Sequence, residues 1–345
     1  MNRMKVKNAV TQLGISLVVI SLCGFSCKKA DSTLTSALPS LTSTEQAQVL
    51  NADNQDAVAD RTDQDVDKAL DVLQNNNYNS NNTALKADAS FTITVDHPDS
   101  TTFPKVITLT FNNYIDTAAS EIYTKNGTIT VTVTVDSANP KYVIRTQMFN
   151  NFSFSTDSSS FTINGTRIVT RKSITTKFNG LKSFRSSIVD DIKATLQYKT
   201  TIGTVVESFT RVVAKTRTAT VHYKNVSTAS IPTWKNVKFV NDINSDSVTY
   251  SGEVSGVNEK GNLYTKTVLA ASPLVVTFYQ TAPVISSGTM EYTVTDSTTK
   301  QTSKYTLLFV QSTTNPHKTS VTVTNDSNAK TFTYVSRLKR KFIKY

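Results

Sequence analysis

The chain has 345 residues and carries 37 Lys and Arg against 26 Asp and Glu, a formal net charge of +11. This surplus favours anionic surfaces in general, but the bases are scattered, so no nucleic-acid partner is expected. Both cysteines, Cys23 and Cys27, stand near the N-terminus, so no disulfide can staple the body and a buried core has to hold it.

Residues 1–26 read as an export signal, in which Arg3, Lys5 and Lys7 precede an apolar run from Leu13 to Phe25. The run is shorter than the roughly twenty residues a membrane helix needs and fits the apolar region of a cleaved leader. "SLCGFSCKK" resembles a bacterial lipoprotein signal, which is cut just before a lipid-bearing cysteine and needs a small residue ahead of it. Ser26 meets that need before Cys27, whereas Leu22 does not before Cys23. Gly24 departs from the usual Leu, and Cys23 has Ile20 and Ser21 well placed, so Cys23 and an ordinary signal peptide stay open as alternatives. The reading adopted is lipidation at Cys27, which would hold the product at the outer membrane by acyl (palmitate-type) chains.

Residues 27–88 form a second region. A small, polar tether over 28–44 is followed by eight acids between Glu45 and Asp71, against Arg61 and Lys68. Val66, Leu70 and Leu73 recur at helical spacing and predict a helix over about 57–74, ahead of the Asn-rich linker 75–82. Calcium binding is not supported, because the acids lack the Gly turn and closing Glu of a calcium loop. A solvated acidic helix face is the simpler account.

The body, 89–345, switches to period two. "FTITVD" puts Phe91, Ile93 and Val95 on one face, "VITLTF" does the same with Ile107, Leu109 and Phe111, and in "GTITVTVTVD" Ile129, Val131, Val133 and Val135 face one way and Thr128, Thr130, Thr132 and Thr134 the other. Similar runs occur at about 141–154, 160–170, 192–199, 203–223, 235–241, 247–254, 262–279, 283–295, 303–311, 318–324 and 330–336. The expected fold is all-β, an antiparallel meander forming a sandwich or elongated stacked sheet, preceded by a short N-terminal helix. Asn126 to Phe149 echoes Ser287 to Phe309, as a duplicated hairpin would, and Pro232 within 225–234 marks a subdivision.

Catalytic chemistry is not nominated. His97, His222 and His317 are isolated, and no G-x-S-x-G, zinc spacing or phosphate-cradling Gly loop occurs, so neither enzyme activity nor a cofactor or metal is expected. A paired-carboxylate site finds no candidate pair among the sparse acids of the body. Threonine faces raise ice binding, but no short repeat supports it. For glycan contact the candidates are Trp234, the sole Trp, and Tyr223 near it in sequence, with Tyr250, Tyr264, Tyr279, Tyr292 and Tyr305 read mainly as packing. The basic ending Arg337 to Lys344 reads as a solvated terminus, with a polyanion contact as the alternative.

Asp followed by Ser or Thr recurs, placing Ser32, Ser100, Thr117, Ser137, Ser247 and Ser297 in triplets that resemble O-glycosylation acceptors of Bacteroidota envelope proteins. Ordinary Asp-Ser turn chemistry accounts for the same triplets. The ending "SCKK", the acidic region, "FPKVITLTF", "KNGTITVTVT", "FTINGTRIVTRKS", "YSGEVSGVNEKGNLYTKTV" and "SSGTMEYTVT" together resemble a family of uncharacterised Bacteroidota lipoproteins over most of 50–336. The chain departs from it in lacking the cysteines of some members. The resemblance implies an envelope lipoprotein and carries over no activity. The function expected is a non-enzymatic scaffold or interaction module, with other envelope proteins or glycans as partners. The alternatives are a surface glycan or nutrient binder and a fimbrillin-like adhesin subunit.

Overall fold

The computed structural model describes residues 41–46, 48–50, 84–88, 90–97, 102–116, 123–135, 143–156, 159–178, 183–224, 247–279, 282–316 and 318–336. All of them belong to one compact unit, Thr33–Tyr345. The expected signal peptide, the helix over 57–74, the linker 75–82, the strand 235–241, the break at 225–234 and the basic ending fall outside the described residues.

A short helix, α1, described over 43–46 and 48–50, comes first. Its start is set by a reciprocal cap: the Glu45 backbone N–H donates to Thr42 Oγ1 at 3.3 Å, and Thr42 N–H donates to Glu45 Oε2 at 2.8 Å. Leu41 and Val49 are buried and join the core.

The strands follow in the order β1 (Ala84–Asp88), β2 (Phe91–Val95), β3 (Lys105–Asp116), β4 (Tyr123–Val135), β5 (Val143–Ser155), β6 (Ser159–Phe178), β7 (Ser183–Ile202) and β8 (Val205–Lys224). The second half comprises β9 (Ser247–Val257), β10 (Leu263–Val268), β11 (Leu274–Tyr279), β12 (Ala282–Thr295), β13 (Thr302–Gln311), β14 (Thr319–Asn325) and β15 (Thr331–Ser336). All described pairings are antiparallel and make one continuous sheet in chain order. The body is thus an all-β antiparallel meander, as the alternation predicts, and the short helix described ahead of it lies before the 57–74 expected from spacing.

One apparent exception resolves on inspection of register. β10 pairs with Gly252–Val257 of β9, and β11 pairs with Ser247–Tyr250 of the same strand. Both also pair with β12. They are two collinear halves of one strand interrupted by the loop 269–273, which contains Pro273 and a Ser272 N–H to Leu269 C=O bond of 3.1 Å. The single run expected at 262–279 is therefore a strand with a loop thrown out of its middle, where Pro273 supplies no N–H to the ladder.

Alternation decides which face is buried. One inner row runs from β2 to β14 through Val95, Ile107, Val131, Gln147, Arg167, Ala194, Val213, Val254, Lys266, Tyr292, Tyr305 and Asn325, each opposite the next. Every member is buried. The apolar members belong to one core that extends from β2 to β15. Rings stack along it, as between Phe91 and Phe111 (centroids 4.8 Å apart) and Tyr198 and Phe209 (4.6 Å). Such neighbouring cross-strand pairs are the units that stabilise a sheet.

The hairpins β3–β4 and β5–β6 are built alike. In the first, the run Phe111-Asn112-Asn113-Tyr114 interrupts register against Lys125-Asn126-Gly127; in the second, Phe149-Asn150-Asn151-Phe152 does so against Ile163-Asn164-Gly165. The two sets stand 38 positions apart (111 to 149, 126 to 164). Asn113 N–H donates to Asn126 Oδ1, and Asn151 N–H donates to Asn164 Oδ1, both at 2.8 Å. Asn113 and Asn151 both have left-handed φ, at 51° and 47°, a conformation that Asn tolerates better than most residues. Gly127 and Gly165 have φ of 97° and 124°, and a Cβ on either would run into the carbonyl oxygen of Asn151 or Thr195. This is a repeated β-bulge, and it increases local twist.

Candidate functional site

The inner face changes character in the middle of the sheet. Towards its two ends the inward positions are mostly apolar, with Ile93, Leu109 and Ile129 on one side and Leu307, Val321 and Val323 on the other. On β5–β8 the same inward phase carries Arg145, Arg167, Arg171 and Arg211, all buried, with Lys215 and Arg217 partly buried beside them. Lys105, Lys125 and Lys266 are further buried cations on β3, β4 and β10.

Asp190 on β7 anchors this group. It lies opposite Arg171 on β6 and Arg217 on β8. Arg171 Nε donates to Oδ1 at 3.1 Å, and Arg217 Nη2 donates to Oδ2 at 2.7 Å. Burial alone would push the Asp190 carboxyl up; the Arg217, Arg171 and Arg145 guanidiniums, with the Arg217 hydrogen bond, overcome it and bring the pKa to about 2. Two rungs along, Arg167 Nη1 donates to Gln147 Oε1 at 3.3 Å. Chemically, this face can hold carboxylate or other anionic groups by charge-assisted hydrogen bonds, for which guanidinium forks are well shaped.

Of the residues nominated from sequence, Cys27, Ser32, Ser100, Thr117, Ser137 and Trp234 lie outside the described residues. Tyr223 falls on β8, but its side chain is also outside them. Ser247 opens β9 and is paired on both sides, with Thr220 and Thr277. Ser297 is exposed on the β12–β13 turn, with its N–H donated to Asn262 Oδ1 at 3.0 Å. In that turn Asp296 Oδ1 accepts the N–H groups of Thr298 and Thr299 at 2.9 and 2.7 Å, and these bonds hold its carboxyl below the usual range. The Asp of this triplet thus makes its turn, as Asp-Ser chemistry predicts.

Tyr264, Tyr292 and Tyr305 are buried, with ring centroids 6.5 and 6.0 Å apart, and act as packing. His97 pairs with Asp96 at 3.0 Å on the surface. Among the described residues no cluster of three or more His, Cys, Asp or Glu has metal-binding geometry. No described helix is long and apolar enough to cross a membrane.

Sequence reasoning passed over the cationic face, since scattered bases look solvated until the strands are registered. The signal was present: Arg145, Arg167, Arg171, Arg211 and Lys215 all occupy the inward phase of their strands. Compared with known proteins, the chain matches no family model, no curated protein and no solved structure.

Proposed function

We propose that the chain is an envelope lipoprotein, held at the outer membrane by lipid on Cys27, whose β body serves as a non-enzymatic scaffold or interaction module. The observation that carries the second half of this reading is the outer face. On β4–β6 it presents Thr130, Thr132 and Thr134 beside Ile144, Thr146 and Met148, then Thr166, Ile168 and Thr170. Met148 is 54% exposed, and Ile144 and Ile168 are exposed with it. Apolar side chains set in a hydroxyl-rich sheet surface are the kind of patch that contacts other macromolecules. The resemblance to Bacteroidota lipoproteins and the small residue before Cys27 support the anchor.

The test is protease shaving of intact native cells, with lysed cells as control, followed by mass spectrometry of the body's peptides. Release from intact cells supports contacts at the cell surface, and protection until lysis supports a scaffold on the periplasmic side. In parallel, Cys27→Ser is expected to move the protein from the membrane to the soluble fraction. A variant that stays membrane-bound refutes the anchor.

A further inference from the structure

We propose that the acidic segment 53–71 docks within the same chain against the cationic inner face of β5–β8. The first support is a charge imbalance. Arg145, Arg167, Arg171, Arg211, Lys215 and Arg217 share that face, while Asp190 is the one acid among the buried residues described. None of the six stands without a partner. Charges withdrawn from water require counter-charges close by, because desolvating an ion without one is prohibitive.

The second support is where the opposite charge lies. Segment 53–71 holds seven Asp against Arg61 and Lys68. Asp56, Asp60, Asp63, Asp67 and Asp71 recur at spacings of four and three, which in the predicted helix places them along one face. Val66, Leu70 and Leu73 make a neighbouring apolar stripe, suited to the apolar residues that flank the cations.

The third support is connectivity. Just before the segment, Val49 joins the core and Glu45 Oε1 accepts a 2.8 Å bond from Asn325 Nδ2 on β14. Just after it, the chain enters β1, paired with β2. Both ends of 51–83 are therefore fixed on the sheet. A helix over 57–74 is about 27 Å long, more than the roughly 15 Å that four adjacent strands span.

The experiment uses the full lipidated chain in detergent, prepared as an equal mixture of unlabelled and nitrogen-15-labelled protein. Carbodiimide joins carboxylates to lysines in direct contact, and hydrogen exchange is followed by mass spectrometry. The expected result is crosslinks from segment 53–71 to Lys215 within single-isotope molecules, with slow exchange over 57–74. Replacing Asp56, Asp60, Asp63 and Asp67 by Asn is expected to raise exchange of that segment at least tenfold. Mixed-isotope crosslinks would overturn the proposal in favour of a second copy. Fast exchange of the segment in the unmodified protein, with an anionic adduct in native mass spectrometry, would overturn it in favour of an external ligand. Neither result bears on the lipid anchor, which the Cys27→Ser fractionation tests separately.

Discussion

Asp190 and Arg217 face each other across β7 and β8, 2.7 Å apart, in the inward phase that neighbouring rungs fill with Ile188 and Ala219. The Asp190 side chain is 2% exposed. An ion pair thus occupies a core position, and a second guanidinium, from Arg171, completes the carboxylate's partners.

Asp190→Asn keeps the shape and removes the charge. Breaking a buried ion pair by deleting one partner is strongly destabilising, so the loss is expected at about 3 kcal/mol. Urea unfolding of the variant checks it, and a midpoint equal to that of the parent protein refutes the pairing.

The same carboxylate sets an acid limit. Its folded pKa of about 2 lies below the ordinary aspartate value of 3.8, so the pairing contributes stability at neutral pH, where folded and unfolded states are both ionised. That contribution declines as pH falls through the unfolded value and is gone below about 2. Its size is on the order of 2 kcal/mol. Unfolding midpoints measured from pH 6 to pH 2 should fall in that window, and by less in Asp190→Asn.

Gly165→Ala should destabilise by at least about 2 kcal/mol, because it combines left-handed strain with a clash against the Thr195 backbone. Gly127→Ala should behave alike against Asn151. Thermal unfolding of both variants is the check, and an unchanged transition would show that neither bulge is tightly closed.

The bulge asparagines make a chemical distinction available. Asn126→Ala and Asn164→Ala each remove an acceptor from a 2.8 Å bond and should cost about 1 kcal/mol. Asn126→Asp and Asn164→Asp retain that acceptor oxygen and should cost less. If the Ala and Asp variants unfold together, the side-chain acceptor contributes nothing.

If the Asp-Ser triplets carry glycan in the native host, accessibility orders them. Ser297 is exposed on a turn, whereas Ser247 sits between two paired strands. Glycopeptide mass spectrometry should find occupancy at Ser297 and none at Ser247. The reverse order would show that modification does not follow the folded surface.

The alternation of Ile129, Val131 and Val133 with threonines makes the sheet and its buried face legible in the sequence. The ends of the long central strands were not readable, and the reason is specific. The run expected at 160–170 stops just before Arg171, and the run expected at 192–199 starts just after Asp190 and Asp191. A single inward charge such as Arg167 leaves the alternation readable, but the consecutive charges Arg171-Lys172 and Asp190-Asp191 leave neither face apolar, yet β6 and β7 continue through those positions for 20 residues each. β1 was missed because Ala84–Asp88 has little of the β-branched and aromatic composition that marks strands. The duplicated bulge was legible in principle, since Phe-Asn-Asn and Asn-Gly-Thr recur at one offset, but only pairing shows what the repeat does.

Because each strand, with β10 and β11 counted as two halves of one, pairs with its predecessor and its successor in the chain, the body is close to one-dimensional. Stability in such arrays is a sum of local hairpins and their nearest-neighbour contacts. The bulge of β3–β4 recurs 38 residues on in β5–β6 as such a local unit. A sheet paired in this way can gain or lose a hairpin without rewiring the remainder, so its number of strands is free to vary.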